Sequence, residues 1–185
     1  MMYKNMWVSL EISNNPEYRV TGKAGFTFSL YMVKTQTKQD FSYFQNLFKT
    51  SMTTQSYTYS FSTPKSLSDA RLNLFTSGHG SASGGEEYAH RLHYVSVNGQ
   101  LLDTIDTQKD CAPYKMYSPR GNPGIFQGNN TFNPRNWCPD EVLPHNYVYI
   151  GNLPAGKHTV TVTVPDADFG SPGDLIMVSA YLVGN

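Results

Sequence analysis

The chain has 185 residues, of which 39% are hydrophobic, and this suits a single globular domain with a core of its own. Charged residues make up only 15% and the formal net charge is zero, so neither a nucleic acid nor an anionic membrane is expected as a partner. A surface poor in charge is consistent instead with packing against other protein subunits.

The N-terminal segment MMYKNMWVSLEIS is not expected to direct export. It lacks the apolar run of about 7–15 residues and the small-residue cleavage site of a signal peptide. No later segment approaches the roughly 20 apolar residues of a membrane helix. We therefore expect synthesis in the cytoplasm without a signal peptide, and a virion as the final location if the protein is viral.

Alternation of apolar and polar residues predicts short strands along most of the chain. In order, these segments are 7–12, 26–32, 57–61, 72–75, 95–97, 147–150, 158–164 and 175–183. Turn residues such as Asn98-Gly99 and Gly151-Asn152 separate several of them. We predict an all-β fold, a two-sheet antiparallel jelly-roll sandwich of about eight strands, as a single domain over residues 1–185.

One segment departs from the two-residue period. Its apolar residues recur at helical spacing, which predicts a short amphipathic helix over residues 41–49; they are Phe41, Phe44, Leu47 and Phe48. The alternative is an irregular arm over residues 34–55, whose apolar side chains dock on a neighbouring subunit.

Residues 100–145 show no regular pattern and are rich in Pro, Gly and Asn, so they are predicted to form a long loop. Such a loop inside a compact domain is usually functional. Cys111 and Cys138 lie within it. A protein kept in the cytosol would leave both thiols reduced, whereas export or assembly into a virus particle would allow them to pair.

Three motifs mark the stretch from Thr76 to Pro144 as the part of the chain that carries chemistry. They are SGHG at 77–80, GGEEYAHRLH at 84–93 and NWCPD at 136–140. Their order and spacing, with Cys111 upstream, resemble the C-terminal domain of peptide N-glycosidase F, a bacterial deglycosylating amidase, over about residues 70–182. That domain is an eight-stranded jelly roll, in agreement with the strand pattern.

The resemblance implies that Glu87 lies in a substrate cleft beside a sugar-bearing asparagine, and that Cys111 and Cys138 form a disulfide. It also implies that the principal catalytic aspartate belongs to a second, N-terminal jelly roll, for which residues 1–69 are too few. Glu87 is then the one candidate catalytic residue, and the chain is expected to be the scaffold without the enzyme.

The residues of this region also have simpler explanations. If residues 84–93 run into a strand, Glu87 and Arg91 share a face and can pair at the end of the sheet. In a ligand cleft, Glu87 would instead bond sugar hydroxyls and Arg91 would be a further ligand-binding residue, while rings stack on the sugar; the candidate rings are Tyr88, Tyr114 and Trp137. The family's two cysteines beside the cleft acid are replaced by Gly85 and Ala89.

No metal and no cofactor are expected. His90 and His93 fall on opposite faces of a strand, and His79 would need a loop to fold back to join them, so three zinc ligands do not converge. His93 is predicted to be a hydrogen-bonded histidine at the edge of the core. The acidic, glycine-rich segment 166–174 lacks the ligand spacing of a calcium loop and is predicted to be a solvated turn.

Two function classes follow. The first is a non-catalytic structural or interaction protein, such as a minor capsid, fibre or other virion component of a large DNA virus or phage, with other protein subunits as partners. It rests on the low charge, the missing catalytic domain and the fold-level use of jelly rolls in capsids. The alternative is an amidase or glycan-binding module whose cleft is completed by a partner chain and whose ligand is an N-glycan.

Overall fold

The structure, a computed structural model, describes residues 41–80, 85–114, 137–138 and 143–185. All of them belong to the unit Phe41–Asn185. The strands are β1 Tyr43–Met52, β2 Ser56–Thr63, β3 Leu67–His79, β4 Leu92–Val97, β5 Gln100–Asp106, β6 Asn146–Leu153, β7 Gly156–Thr163 and β8 Leu175–Gly184, with one 3-10 turn at Ala112–Tyr114. Among these residues, no helix is long and apolar enough to cross a membrane. The strands predicted at 7–12 and 26–32 lie outside the described residues.

The eight strands form two antiparallel sheets with jelly-roll connections. Sheet A has the order β1-β8-β3-β6 and sheet B the order β2-β7-β4-β5, so successive strands alternate between the sheets except for β4 and β5, which form a hairpin within sheet B. The predicted all-β sandwich is confirmed, and each predicted strand that falls on described residues is present. The two-residue period identified these strands because one face of each is buried.

The core lies between the sheets and is built from the inward-facing residues of the central strands. Along β8, buried residues alternate with partly exposed ones from Ile176 to Leu182. The largest fully buried apolar side chains are Leu72, Leu74, Val95, Val148, Val160, Val162, Val164, Ile176 and Leu182. They come from both sheets, as a packed sandwich requires.

The helix predicted over residues 41–49 is wrong, and the segment is not an irregular arm either. Residues 43–52 form β1, which pairs with β8. The register shifts between Asn46 and Phe48, so Leu47 is an extra residue that has no partner of its own. Such a bulge puts Leu47 and Phe48 on the same side of the strand and breaks the two-residue period. The apolar residues of the segment therefore recur at intervals of three and four residues, as they would in a helix.

The long loop predicted over 100–145 starts later than expected, because residues 100–106 form β5. This strand is at the edge of sheet B, and its burial pattern has no clear alternation. It pairs with β4 with a register shift between Val95 and Ser96. An edge strand with most side chains in solvent gives little periodic signal.

The connections between strands differ greatly at the two ends of the sandwich. The register pairs His79 with Leu175, Leu74 with Asn146 and Leu92 with Asp106, so three long connections begin and end at the same end of the sheets. They are residues 80–91, 107–145 and 164–174, and we call their described parts the loop end. The opposite end holds the short connections 64–66, 98–99 and 154–155.

Candidate functional site

The loop end brings together the three motifs that the sequence singled out. Ser77 and His79 are among the last three residues of β3. Residues 86–88 form a tight turn in the connection that follows. Trp137 and Cys138 come from the connection between β5 and β6. Segments up to 60 residues apart in the sequence therefore meet because the jelly roll returns each strand to the same end.

Glu86, which the sequence analysis did not single out, is the most buried acidic residue of the site. Its side chain has no solvent exposure. Arg91 donates to both carboxylate oxygens, with Nη2 to Oε1 at 2.6 Å and Nε to Oε2 at 3.0 Å. The backbone N–H of Asp168 donates to Oε1 at 2.8 Å. One carboxylate thus joins the β3–β4 connection to the β7–β8 connection.

The sequence analysis assigned Arg91 a pairing with Glu87, but the structure places its guanidinium on Glu86. The hydrogen bond to Glu86 is also the main cause that raises the pKa of Arg91, with Asp166 and Asp168 contributing more weakly. Charge-assisted, two-point pairing of this kind fixes the orientation of both side chains. Arg91 also anchors the next loop, because its carbonyl accepts hydrogen bonds from Thr107 N and Oγ1.

Glu87 and Tyr88 are half-buried and lie in the turn that the Glu86–Arg91 pair holds. The N–H of Tyr88 donates to the carbonyl of Gly85 at 3.0 Å, and the N–H of Glu87 approaches the carbonyl of Gly80 at 3.4 Å. The predicted strand face does not extend to Glu87, because β4 begins only at Leu92. The orientation of Glu87 is set by this turn.

His93 lies at the loop end of the core and bridges the two sheets. It is 1% exposed, and its Nδ1 lies 3.1 Å from Thr76 Oγ1 on β3. Its Nε2 is buried and has no hydrogen-bond partner. The histidine predicted at the edge of the core is therefore hydrogen-bonded through only one of its two ring nitrogens. Burial, with a smaller effect of the Arg91 charge, lowers the pKa of His93 to about 4.

His90 lies on the other side of β4 from His93. Its Nε2 is 2.7 Å from Asp106 Oδ1, and both side chains are well exposed. His90 precedes β4, which begins at Leu92, so the strand alternation expected to separate the two histidines does not apply to it. Within the part of the chain that the structure describes, no group of three or more His, Cys, Asp or Glu is arranged to hold a metal ion.

Cys111 and Cys138 form the disulfide that the resemblance implied, with their Cα atoms 5.4 Å apart. The bond fixes Trp137, whose Nε1–H donates to the carbonyl of Gly78 at 2.9 Å. The indole ring lies 6.1 Å from the ring of His79, and His79 is hydrogen-bonded to Ser77 at 2.9 Å. Trp137 is thereby held against the end of β3, where its ring remains partly accessible.

The site therefore combines a half-buried carboxylate with fixed aromatic rings. Such groups suit a sugar, because a carboxylate accepts hydrogen bonds from hydroxyl groups and a rigid ring offers an apolar face. Amide hydrolysis needs, in addition, a group that activates water and donors for the developing oxyanion. Of the predicted site residues, Glu87, Tyr88, Arg91 and Trp137 lie at the loop end, and Tyr114 is the last residue of the 3-10 turn beside Cys111.

Comparison with known families gives one match that covers most of the sandwich. Residues 47–183 match the family described as "Peptide-N-glycosidase F, C terminal". The matched range begins within β1 and ends within β8, so it includes every described strand and all three connections of the loop end. No curated protein matches the chain.

Two crystal structures of PNGF-II are similar to this one. In space group P21 the TM-score is 0.69 at 25% sequence identity, over 80% of this chain and 31% of the other. In space group C2 the TM-score is 0.60 at 31% identity, over 70% of this chain and 24% of the other. The chain thus corresponds to less than a third of the length of these relatives.

Proposed function

The chain belongs to the family of the peptide-N-glycosidase F C-terminal domain, and from this premise we propose that its loop end is a glycan-binding site, one half of a cleft that a second domain or chain completes. The observation that carries the proposal is the convergence of Glu87, Tyr88 and Trp137 at one end of a sandwich that the family match covers almost completely.

The family favours this alternative over the structural role in a virus particle. The capsid hypothesis rests on the jelly-roll fold and on low charge, and a fold shared by many functions does not select one of them. The family match, in contrast, includes the residues of the proposed site. No observation points to a virus.

Within the proposed cleft, each residue has a distinct role. Glu87 accepts hydrogen bonds from sugar hydroxyls, and the rings of Tyr88 and Trp137 pack against sugar faces. Arg91 acts indirectly: its guanidinium holds Glu86, and so fixes the turn that presents Glu87. The second carboxylate and the oxyanion donors required for hydrolysis come from the partner in this proposal.

Binding is tested by calorimetric titration of the chain with an N-glycosylated peptide and with the same peptide after enzymatic removal of the glycan. We expect binding of the glycosylated form alone, weakened about tenfold or more in Glu87→Gln and in Trp137→Ala, as for residues at the centre of an interface. Asp103→Asn, on β5, is the matched control and should bind like the wild type. Equal affinity for both peptides would contradict the proposal.

A separate assay decides whether the chain hydrolyses the linkage unaided. Incubation with a denatured N-glycosylated protein should release no glycan, because one carboxylate does not supply both functions that the reaction needs. Release that is absent in Glu87→Gln would instead show that the cleft is complete, for example across two copies of the chain.

A further inference from the structure

A row of aromatic rings crosses the outer face of sheet A, on the side away from the core. It consists of Phe44 on β1, Tyr181 on β8, Phe75 on β3, and His145 and Tyr147 at the start of β6; we call it the aromatic strip. Its members face outward because their strand neighbours, such as Leu74, Ala180 and Val148, are buried in the core.

The rings of the aromatic strip are in contact and fix one another. Ring centroids are 5.3 Å apart for Phe44 and Tyr181, 4.7 Å for Phe75 and His145, and 4.1 Å for His145 and Tyr147. Tyr181 Oη and His145 Nε2 lie 3.0 Å apart, at hydrogen-bond distance. The surface is therefore formed before any ligand arrives, which reduces the entropy lost on binding.

Parts of this surface are unusually exposed for large rings. Tyr147 is 61% exposed, Tyr149 beside it on β6 is 64% exposed, and Phe44 is 44% exposed. A contiguous exposed aromatic surface of this kind marks an interaction site.

The charge of the face indicates what it binds. Arg71, opposite Tyr149 in the register, is paired with Asp69 at 2.9 Å, so its charge is compensated. Burial lowers the pKa of His145, which disfavours the charged form of its ring. Beyond Lys49 on β1, the face offers rings, phenol hydroxyls and the exposed amide of Asn46. These groups match a neutral ligand that carries both hydroxyls and apolar faces.

The aromatic strip is also continuous with the loop end. Phe75, Ser77 and His79 share the outer face of β3, and His79 contacts Trp137. Two residues along a strand span roughly 7 Å, so the strip begins about one side chain from the proposed glycan site. A ligand that leaves this site along β3 meets the aromatic strip first.

We propose that the aromatic strip, with Tyr149, binds the outer neutral sugars of the same N-glycan whose core occupies the loop end. This inference rests on the proposed function and extends it, because it assigns the second contact to a different face of the molecule. The strip then selects for glycan length, whereas Glu87 and Trp137 recognise the core.

The test compares a long and a short ligand in calorimetric titrations. The long ligand is an asparagine-linked high-mannose glycan, and the short one is chitobiosyl-asparagine. We expect the double variant Tyr147→Ala with Tyr149→Ala to bind the long ligand roughly tenfold more weakly and the short ligand unchanged. Tyr147→Trp should retain affinity for the long ligand, because it keeps a ring at the same place. Leu101→Ala removes an equally exposed side chain from sheet B and should have no effect.

The outcomes separate the two proposals. If the alanine double variant binds the long ligand like the wild type, the aromatic strip is not a sugar site and this inference is wrong. If the wild type binds neither ligand, the proposed function itself fails. Self-association of the wild type in sedimentation velocity, lost in the double variant, would show that a second copy covers the strip and would also overturn the inference.

Discussion

Glu86 and Glu87 are adjacent in the chain but have different environments. Glu86 is fully buried and bound by Arg91 and by the N–H of Asp168. Glu87 is half-buried in the turn that this arrangement holds. Removal of one partner from a buried ion pair is much more destabilising than loss of a surface pair, because the remaining charge stays buried. Glu86 is thus the structural acid of this region, and the proposed function assigns recognition to Glu87.

Replacement of Glu86 with Gln should destabilise the fold by about 3 kcal/mol, because Arg91 would remain largely buried without its counter-charge. The free energy of unfolding is measured by urea denaturation. Asp103→Asn, the same chemical change on β5, should alter it by less than about 0.5 kcal/mol. Equal stability of Glu86→Gln and the wild type would show that the pair contributes nothing to the fold.

Protonation of the buried His93 ring should make the stability of the fold depend on pH. Its pKa is about 4 in the folded protein, lowered from 6.5 by burial. The unfolded chain therefore takes up this proton first as the pH falls. The contribution of the neutral His93 ring to the free energy of unfolding is fully present above about pH 6.5. It is lost as the pH falls through 4, which lowers the free energy of unfolding by about 3 kcal/mol.

The titration is observed directly by NMR of the His93 ring, where a midpoint near 4 is expected. The stability of His93→Gln should also decline less than that of the wild type between pH 6.5 and pH 4. A midpoint near 6.5 would mean that the ring is accessible to water and that the account of its burial is wrong.

The sequence motifs predict which segments meet at the loop end and which cysteines pair, but they do not predict the contacts of the individual side chains. The motifs placed Glu87, Tyr88, Arg91 and Trp137 in one region, and the disulfide between Cys111 and Cys138 is confirmed. The partner of Arg91 was assigned to the wrong one of two adjacent glutamates. Strand parity was the only geometric guide, and it does not apply in the turn before β4.

The elements of the site meet where the loops return to the same end of the sheets. At the end of β3, Gly80 has a φ of +124° and lies against Asp174 from the β7–β8 connection. A Cβ at this position would overlap Asp174 Oδ1. The close approach of the two connections therefore requires glycine, both for its conformation and for its lack of a side chain.

Gly80→Ala should destabilise the protein by about 2–3 kcal/mol, from backbone strain together with the clash at Asp174. Gly99→Ala is the matched control: its φ is +79°, but no atom lies within 4 Å of the added Cβ. It should cost only the strain, about 1 kcal/mol. Thermal or urea unfolding of both variants measures the difference, and equal losses would contradict the close approach at Gly80.

At the scale of elements, the sequence pattern succeeded for regular strands and failed at irregular or exposed ones. β8 alternates along its whole central part and was predicted with nearly correct bounds. β1 was taken for a helix because the bulge at Leu47 put two apolar residues in succession on one side. The sequence pattern does not predict β5, because this edge strand buries only Ile105 fully and its other side chains show no regular alternation.

At the scale of the described sandwich, the two ends differ in the length of their connections. The jelly-roll order places the long connections together and leaves short turns at the opposite end. The chain matches the family over residues 47–183, although it spans less than a third of the two PNGF-II chains. In the proposed function, this sandwich provides the glycan contacts and a partner supplies the groups that hydrolysis needs.

Whether the loop end binds a glycan is tested most directly by mapping the bound glycan on the structure. Backbone amide NMR spectra are recorded while chitobiosyl-asparagine is added to the isotope-labelled chain. We expect shifts at residues 77–80, 85–91 and 137–138, and none at the turns 98–99 and 154–155. Shifts centred on those turns, or none anywhere at saturating ligand, would contradict the assignment of glycan binding to the loop end.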